Sequence, residues 1–282
     1  MPDSQLPPHP TPTHDGTPMN LFFRTLLTAL VLALSASRAT AQQRLFAIVD
    51  YMHVPDSSSE KEYVALEKLW QQIHQRSVDA GNCLSWAVYR VENGGRNQFV
   101  TVQVYDSPAK FMDPWGEPLE KLFKNLYTDA ERAIMDKTDA IRVLTRHELW
   151  EVEATAMAGG REPAGYNVVN FMKTTPGKVD AYYLTEKQVF QKGHQVRVDN
   201  GDMRAWFFLS RSFPAGSDAE YDFITVDAYA DKAAADKPVD MKKIEAALSK
   251  EDLAKAEKIE ETRTVVRREV WHPVLRTSRP NR

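Results

Sequence analysis

Cysteine is nearly absent from this chain. Cys83 is the only one in 282 residues, so no internal disulfide can form and the fold must rest on its apolar core. Charge of one sign is also missing. Thirty-six basic residues face 39 acidic ones, for a net charge of −3, which excludes the basic footprint of a nucleic-acid binder. There is no phosphate-cradling glycine-rich loop and no zinc-type Cys/His spacing. Histidine is scarce. Beyond residue 41 only His53, His74, His147, His194 and His272 occur, none within four positions of another, which excludes a helical two-histidine metal site. Long apolar runs are missing too. The run at 26–34 falls well short of the roughly 20 residues a membrane-spanning helix requires.

What is present begins with an unusual N-terminus. Residues 1–18 are rich in Pro, Thr and His and show no periodicity. Met19, Arg24, the short apolar run and Ala39-Thr40-Ala41 then have the layout of a secretory signal peptide, with cleavage expected after Ala41 and Met19 a candidate start. No cysteine stands at the cleavage site to accept a lipid, so the expectation is soluble export to a periplasm or the exterior without a stable membrane anchor.

The rest of the chain contains one pattern twice. Tyr63, Gln71, His74, Gln75, Val78, Asp79, Gly81 and Trp86 recur as Tyr183, Gln191, His194, Gln195, Val198, Asp199, Gly201 and Trp206, always at a spacing of 120 (183 − 63 = 206 − 86 = 120). Eight identities in one register indicate a duplicated supersecondary unit. In the first copy, strand alternation over 46–54 precedes a helical stripe over 58–80 that Gly81 should stop. Strands over 83–91 and 98–105 flank Glu92-Asn93-Gly94-Gly95, a hairpin signal; a second helical region covers 118–137 and a last strand 141–150. The second copy repeats the order at 166–174, 203–213, 221–229, 241–260 and 262–271, with Gly201 as its helix stop. The expected division is therefore an N-terminal segment 1–41, a first repeat 42–153, a small-residue linker 154–164, a second repeat 165–273 and a tail 274–282.

The order β-α-β-β-α-β is the ferredoxin-like arrangement, a four-stranded antiparallel sheet with both helices on one face. The expected fold class is α+β, with two tandem ferredoxin-like repeats packed sheet to sheet. In the third strand Val100, Val102 and Val104 share a face, and the expectation is that this valine face meets the helices while Phe99, Thr101, Gln103 and Tyr105 meet the other copy.

With this element order, the Pro176-Gly177 turn and the helix-end glycine followed by tryptophan (Gly81 and Trp86; Gly201 and Trp206), residues 45–271 resemble the dimeric α/β-barrel superfamily in a single-chain form. The resemblance implies a barrel and a range of activities: cofactor-independent monooxygenases, small isomerases, and haem-binding peroxidase and chlorite-decomposing enzymes. It does not select one.

His74 and His194 are the candidate catalytic residues, because imidazole titrates nearest neutrality. Tyr63, Trp70 and Trp86, with Tyr183, Phe190 and Trp206 in the second copy, are candidate walls of a ligand pocket between sheet and first helix. The competing reading makes the histidines and these rings structural. Arg142 and Arg146, with Arg263 and Arg267 at a spacing of 121, share their strand face with Glu148 and Glu269. They read either as an ion-pair network or as a guanidinium clamp for a small carboxylate or phosphate. No metal and no resident cofactor is expected; haem would require His74 or His194 as ligand. The two functional readings are a small-molecule enzyme, monooxygenase-like or isomerase-like, and a non-catalytic ligand-binding or assembly module. The chain is expected to be a monomeric pseudo-dimer or a homodimer.

Overall fold

Alternation of β-branched and aromatic residues produces eight strands, and the computed structural model describes residues 44–92, 94–95, 98–159, 164–216 and 218–278. The expected signal peptide, Asn93 of the expected hairpin turn, residues 160–163 of the expected linker and the end of the tail lie outside the described residues. The strands are β1 (Leu45–His53), β2 (Ser85–Glu92), β3 (Phe99–Tyr105), β4 (Val143–Met157), β5 (Tyr166–Thr174), β6 (Ala205–Phe213), β7 (Phe223–Tyr229) and β8 (Arg263–Arg276). They close an antiparallel barrel in the order β1-β3-β2-β8-β5-β7-β6-β4, so the fold is mixed α+β around an eight-stranded barrel.

The sheets meet edge to edge. β4 runs on to Met157 and pairs with β6, and β8 runs on to Arg276 and pairs with β2. Both strands thus extend into stretches expected to be linker and tail. The added length is what supplies hydrogen-bond partners to β2 and β6, which would otherwise be free edges.

Helices cover the outside. α1 (Glu60–Asp79) begins at Ser59, whose hydroxyl accepts from the Glu62 backbone N–H at 3.2 Å while the Glu62 carboxylate accepts from the Ser59 N–H at 2.7 Å. This reciprocal cap satisfies donors that the first turn leaves open. Ser59→Ala should lower stability by about 1 kcal/mol, read as a shift in the urea midpoint. Gly81 and Gly201, at φ of 76° and 82°, end the first helix of each half, as expected of a residue without a Cβ penalty there.

The helical region expected over 118–137 is broken. After α2 (Pro108–Met112) come α3 (Leu119–Leu126), α4 (Asp129–Met135) and α5 (Thr138–Ile141), with Thr128 capping α4 through Glu131. In the second half α6 (Val179–Thr185) passes through a π-helical turn, Glu186–Phe190, into α7 (Gln191–Asp199). α8 (Lys232–Ala235), α9 (Met241–Ala247) and α10 (Lys250–Glu257) complete that layer. Among the described residues no helix is long and apolar enough to cross a membrane.

The faces of β3 are the reverse of the expectation. Val100 and Val102 point into the barrel with Val49, Tyr51, Trp150 and Trp271. Phe99 points outward beneath α1, its ring 4.2 Å from Tyr63. An eight-stranded barrel has an interior just wide enough for side chains, so small branched residues line β3 where large rings from other strands fill the middle. The helix layer, by contrast, has room for the rings of β3.

Candidate functional site

The recurring histidines and aromatic rings lie in packed surroundings. His74 is 6% exposed and lies flat on Trp86, with ring centroids 4.7 Å apart at 10°; Trp115 covers it at 5.0 Å. His194 stacks on Trp206 at the same 4.7 Å and 11°. Burial, aided by the nearby guanidiniums of Arg142 and Arg197 respectively, lowers each imidazole from its usual value near 6.5 to about 3. Both rings are therefore neutral near pH 7, and a group with so low a proton affinity is a weak general base. Tyr63, Trp70 and Trp86 pack in the core under α1, and Tyr183, Phe190 and Trp206 pack in its counterpart under α6 and α7.

The repeated glutamines join the halves. Gln71 Nε2 donates to the carbonyl of Arg276 at the end of β8, and Gln191 Nε2 to that of Thr155 near the end of β4, at 2.6 and 2.8 Å. These targets are themselves 121 apart (276 − 155 = 121), so each half's helix holds the other half's last strand. A reciprocal clamp accounts for the recurrence without chemistry.

The four arginines do not share a face. Arg146 and Arg267 point into the barrel, where Arg146 lies 4.8 Å over the ring of Tyr51 and Arg267 4.1 Å over that of Phe171. Arg142 instead points to the helix side, where it pairs with the buried Glu67 and covers Trp70. Arg263 bonds Glu260 at 3.0 Å. The cause is a register shift between Tyr51 and Met52 against β4, matched by one between Phe171 and Met172 against β8. A one-residue shift turns every earlier side chain to the other face.

Two further polar clusters flank the sheet. His147 Nδ1 lies 2.6 Å from Asp50 Oδ1, and that hydrogen bond raises the imidazole above its usual range. In the second half, burial pushes Glu186 up to about 7 and Asp227 up to about 6. Glu186 sits in the π-helical turn and is buried beside Tyr182 and Arg263, as Glu67 in the first half is buried beside Tyr63 and Arg142.

A cavity of about 340 Å³ opens at the barrel end where β2 and β6 begin and β4 and β8 finish. Tyr89, Phe207 and Trp86 wall it, and Asn167, Arg204 and Arg276 supply polar groups. Arg204 Nε is buried without a hydrogen-bond partner among the described residues. Of the expected pocket residues only Trp86 is here. Recurrence carries no signal for the rest of the lining. The cavity instead gathers positions where the copies differ: Tyr89 against Leu209, Ala87 against Phe207, Ala47 against Asn167, and Leu84 against Arg204. Larger hollows of about 570 and 430 Å³ lie on the outer helix surfaces around Gln191 and Gln75, without aromatic walls.

The surroundings of His74 and His194 do not suit haem. His74 is 6% exposed between Trp86 and Trp115 and packed among core side chains, which leaves no room for a macrocycle beside its ring nitrogens. The Arg197 guanidinium lies 3.5 Å from His194 Nδ1. Among the described residues no group of three or more His, Cys, Asp or Glu could hold a metal ion.

The fold is similar to solved structures at low sequence identity. A candidate monooxygenase from Fusobacterium nucleatum is 9% identical, with 83% of this chain and 94% of the other covered at a TM-score of 0.53. A candidate monooxygenase from Lactobacillus acidophilus is 11% identical, with 84% and 97% covered at 0.48. A candidate chlorite dismutase is 14% identical, with 82% and 95% covered at 0.48. No protein-family model and no curated protein matches the sequence. At such identities the likeness shows the fold, which is of the dimeric α/β-barrel type.

Proposed function

We propose that this chain is an exported small-molecule-binding barrel, built from two ferredoxin-like repeats in tandem, that takes a flat anionic compound into the cavity between Tyr89 and Phe207. The observation that carries the reading is the pairing of aromatic walls with a buried, unpartnered Arg204 Nε in one cavity of about 340 Å³. That size is at the small end of ligand sites, which are lined mainly by apolar surface with a few placed polar groups. An aromatic carboxylate satisfies both features: its ring fills the space between Tyr89 and Phe207, and its carboxylate meets Arg204 and Arg276.

Benzoate is the simplest probe. Titrated into the protein, it should quench the fluorescence of Trp86, which lines the cavity. Arg204→Met should weaken binding on the order of tenfold, the cost of losing a charge-assisted hydrogen bond. Phe207→Ala should weaken it as well. Equal quenching of the wild type and both variants would count against the cavity as the site.

A second reading, a cofactor-independent oxygenase acting on the bound ring, draws on the fold shared with a candidate monooxygenase. It is tested by oxygen consumption with electron-rich aromatic substrates. In the binding reading His74 and His194 act as neutral packing rings and no proton transfer runs through them. The export reading rests on residues 1–41, and the mass of the secreted chain tests it by showing whether cleavage follows Ala41.

A further inference from the structure

The opposite end of the barrel holds more positive charge than its buried carboxylates balance. Three guanidiniums, Arg146, Arg211 and Arg267, surround the ring of Tyr221 at 5.7, 4.7 and 5.3 Å. Two carboxylates, Glu148 and Glu269, are buried among them, at 0% and 3% exposure. Both are already engaged. Glu148 accepts from Tyr221 Oη at 2.6 Å and from Trp150 Nε1 at 3.2 Å, and lies 3.7 Å from both Arg146 and Arg211. Glu269 accepts from Trp271 Nε1 at 2.8 Å and pairs with Arg267 Nε at 2.9 Å, so two carboxylates face three guanidiniums.

The remaining charge is met by Glu220, from the connection between β6 and β7. One carboxylate oxygen lies 3.7 Å from Arg146 Nη1 and the other 3.5 Å from Arg267 Nη1. Both distances are too long for hydrogen bonds. Glu220 is 54% exposed, while its two partners are only 28% and 25% exposed. Inside the barrel, Arg267 Nη2 and the Tyr51 hydroxyl are buried without hydrogen-bond partners among the described residues. Buried donors left unmet are costly, and guanidiniums fixed against aromatic rings are already oriented for a planar acceptor.

We propose that this end of the barrel is a carboxylate-binding site in which Glu220 is the resident, displaceable occupant. A small carboxylate entering between Arg146 and Arg267 would replace a loosely held, half-exposed side chain, and would come within reach of the buried Arg267 Nη2 and Tyr51 hydroxyl. The site lies at the other end of the barrel from the aromatic cavity and does not depend on it.

The experiment is an NMR titration of the full exported chain with sodium acetate, against sodium chloride at matched ionic strength, following the indole N–H signals of Trp150 and Trp271. Saturable acetate shifts absent with chloride are expected in the wild type. Glu220→Gln removes the competitor and should lower the acetate Kd on the order of tenfold, because the free site becomes more populated. Arg267→Met should abolish the shifts. Glu220 is half-exposed, so Glu220→Gln should fold, and the comparison with wild type decides the matter even if Arg267→Met does not fold. An unchanged Kd in Glu220→Gln, or no saturable shift in either protein, would overturn the proposal.

Discussion

Replacing both His74 and His194 with phenylalanine should remove about 3 kcal/mol of acid-induced destabilisation per ring between pH 7 and pH 4. Each imidazole falls to about 3 in the fold, against about 6.5 when free. Between those values the unfolded chain binds protons that the folded chain refuses. The contribution of each ring to stability is therefore fully present above about 6.5 and is lost as the pH falls toward 3. Phenylalanine can still stack on Trp86 and Trp206 but cannot titrate.

Two carboxyls oppose this trend. Glu186 at about 7 and Asp227 at about 6 are raised by burial, so the fold binds their protons first. Their contributions are present below the ordinary carboxyl values and are lost as the pH rises through 6 and 7. Wild-type stability should thus change little between about pH 6 and 4.5 and fall below that. There the histidines are joined by Glu62, Glu131, Asp222 and Asp252, whose carboxylates the fold holds below their usual range. Urea midpoints at pH 7, 5 and 4 test this. The double variant should show a shallower acid limb, with only the carboxylate part remaining; parallel pH curves for the two proteins would show that the stacked rings titrate normally.

The second large effect concerns Glu148. Its carboxylate is fully buried, accepts from Trp150 and Tyr221, and lies 3.7 Å from both Arg146 and Arg211. Glu148→Ala leaves two guanidiniums without their buried counter-charge and two donors without an acceptor. A loss of about 3–5 kcal/mol is expected, since breaking a buried pair strands the remaining charge. Glu220→Gln, on an exposed carboxylate of the same barrel end, should cost less than about 1 kcal/mol. Denaturant unfolding of the two variants gives the comparison. Similar losses would mean that the barrel interior is wetter than its packing indicates.

Local chemistry made most elements readable. Gly81 and Gly201 stop helices because the backbone there takes positive φ, and the strand alternation over 166–174 matches β5 residue for residue. Where the reading failed, the missing information was long-range. Nothing near Val100 tells which side of β3 will enclose the barrel, because both faces are apolar enough to be covered. The shifts beside Tyr51 and Phe171 that separate Arg142 from Arg146, and Arg263 from Arg267, depend on pairing with β4 and β8. The break in the region at 118–137 was legible in principle, since Thr128 followed by Glu131 is a capping box.

By itself the sequence determined the number and order of strands, the helix stops and the internal register of 120, because these follow from short-range periodicity, backbone sterics and repetition. Tertiary structure alone decided what the recurring residues do. Packing the helices on the outside of the barrel stacks His74 and His194 on tryptophan, where desolvation keeps them neutral. It makes Gln71 and Gln191 clamps between the halves, and closing the barrel brings Tyr89, Phe207, Arg204 and Arg276 to one cavity. Burial and convergence are properties of side chains distant in sequence, so no spacing rule along the chain contains them.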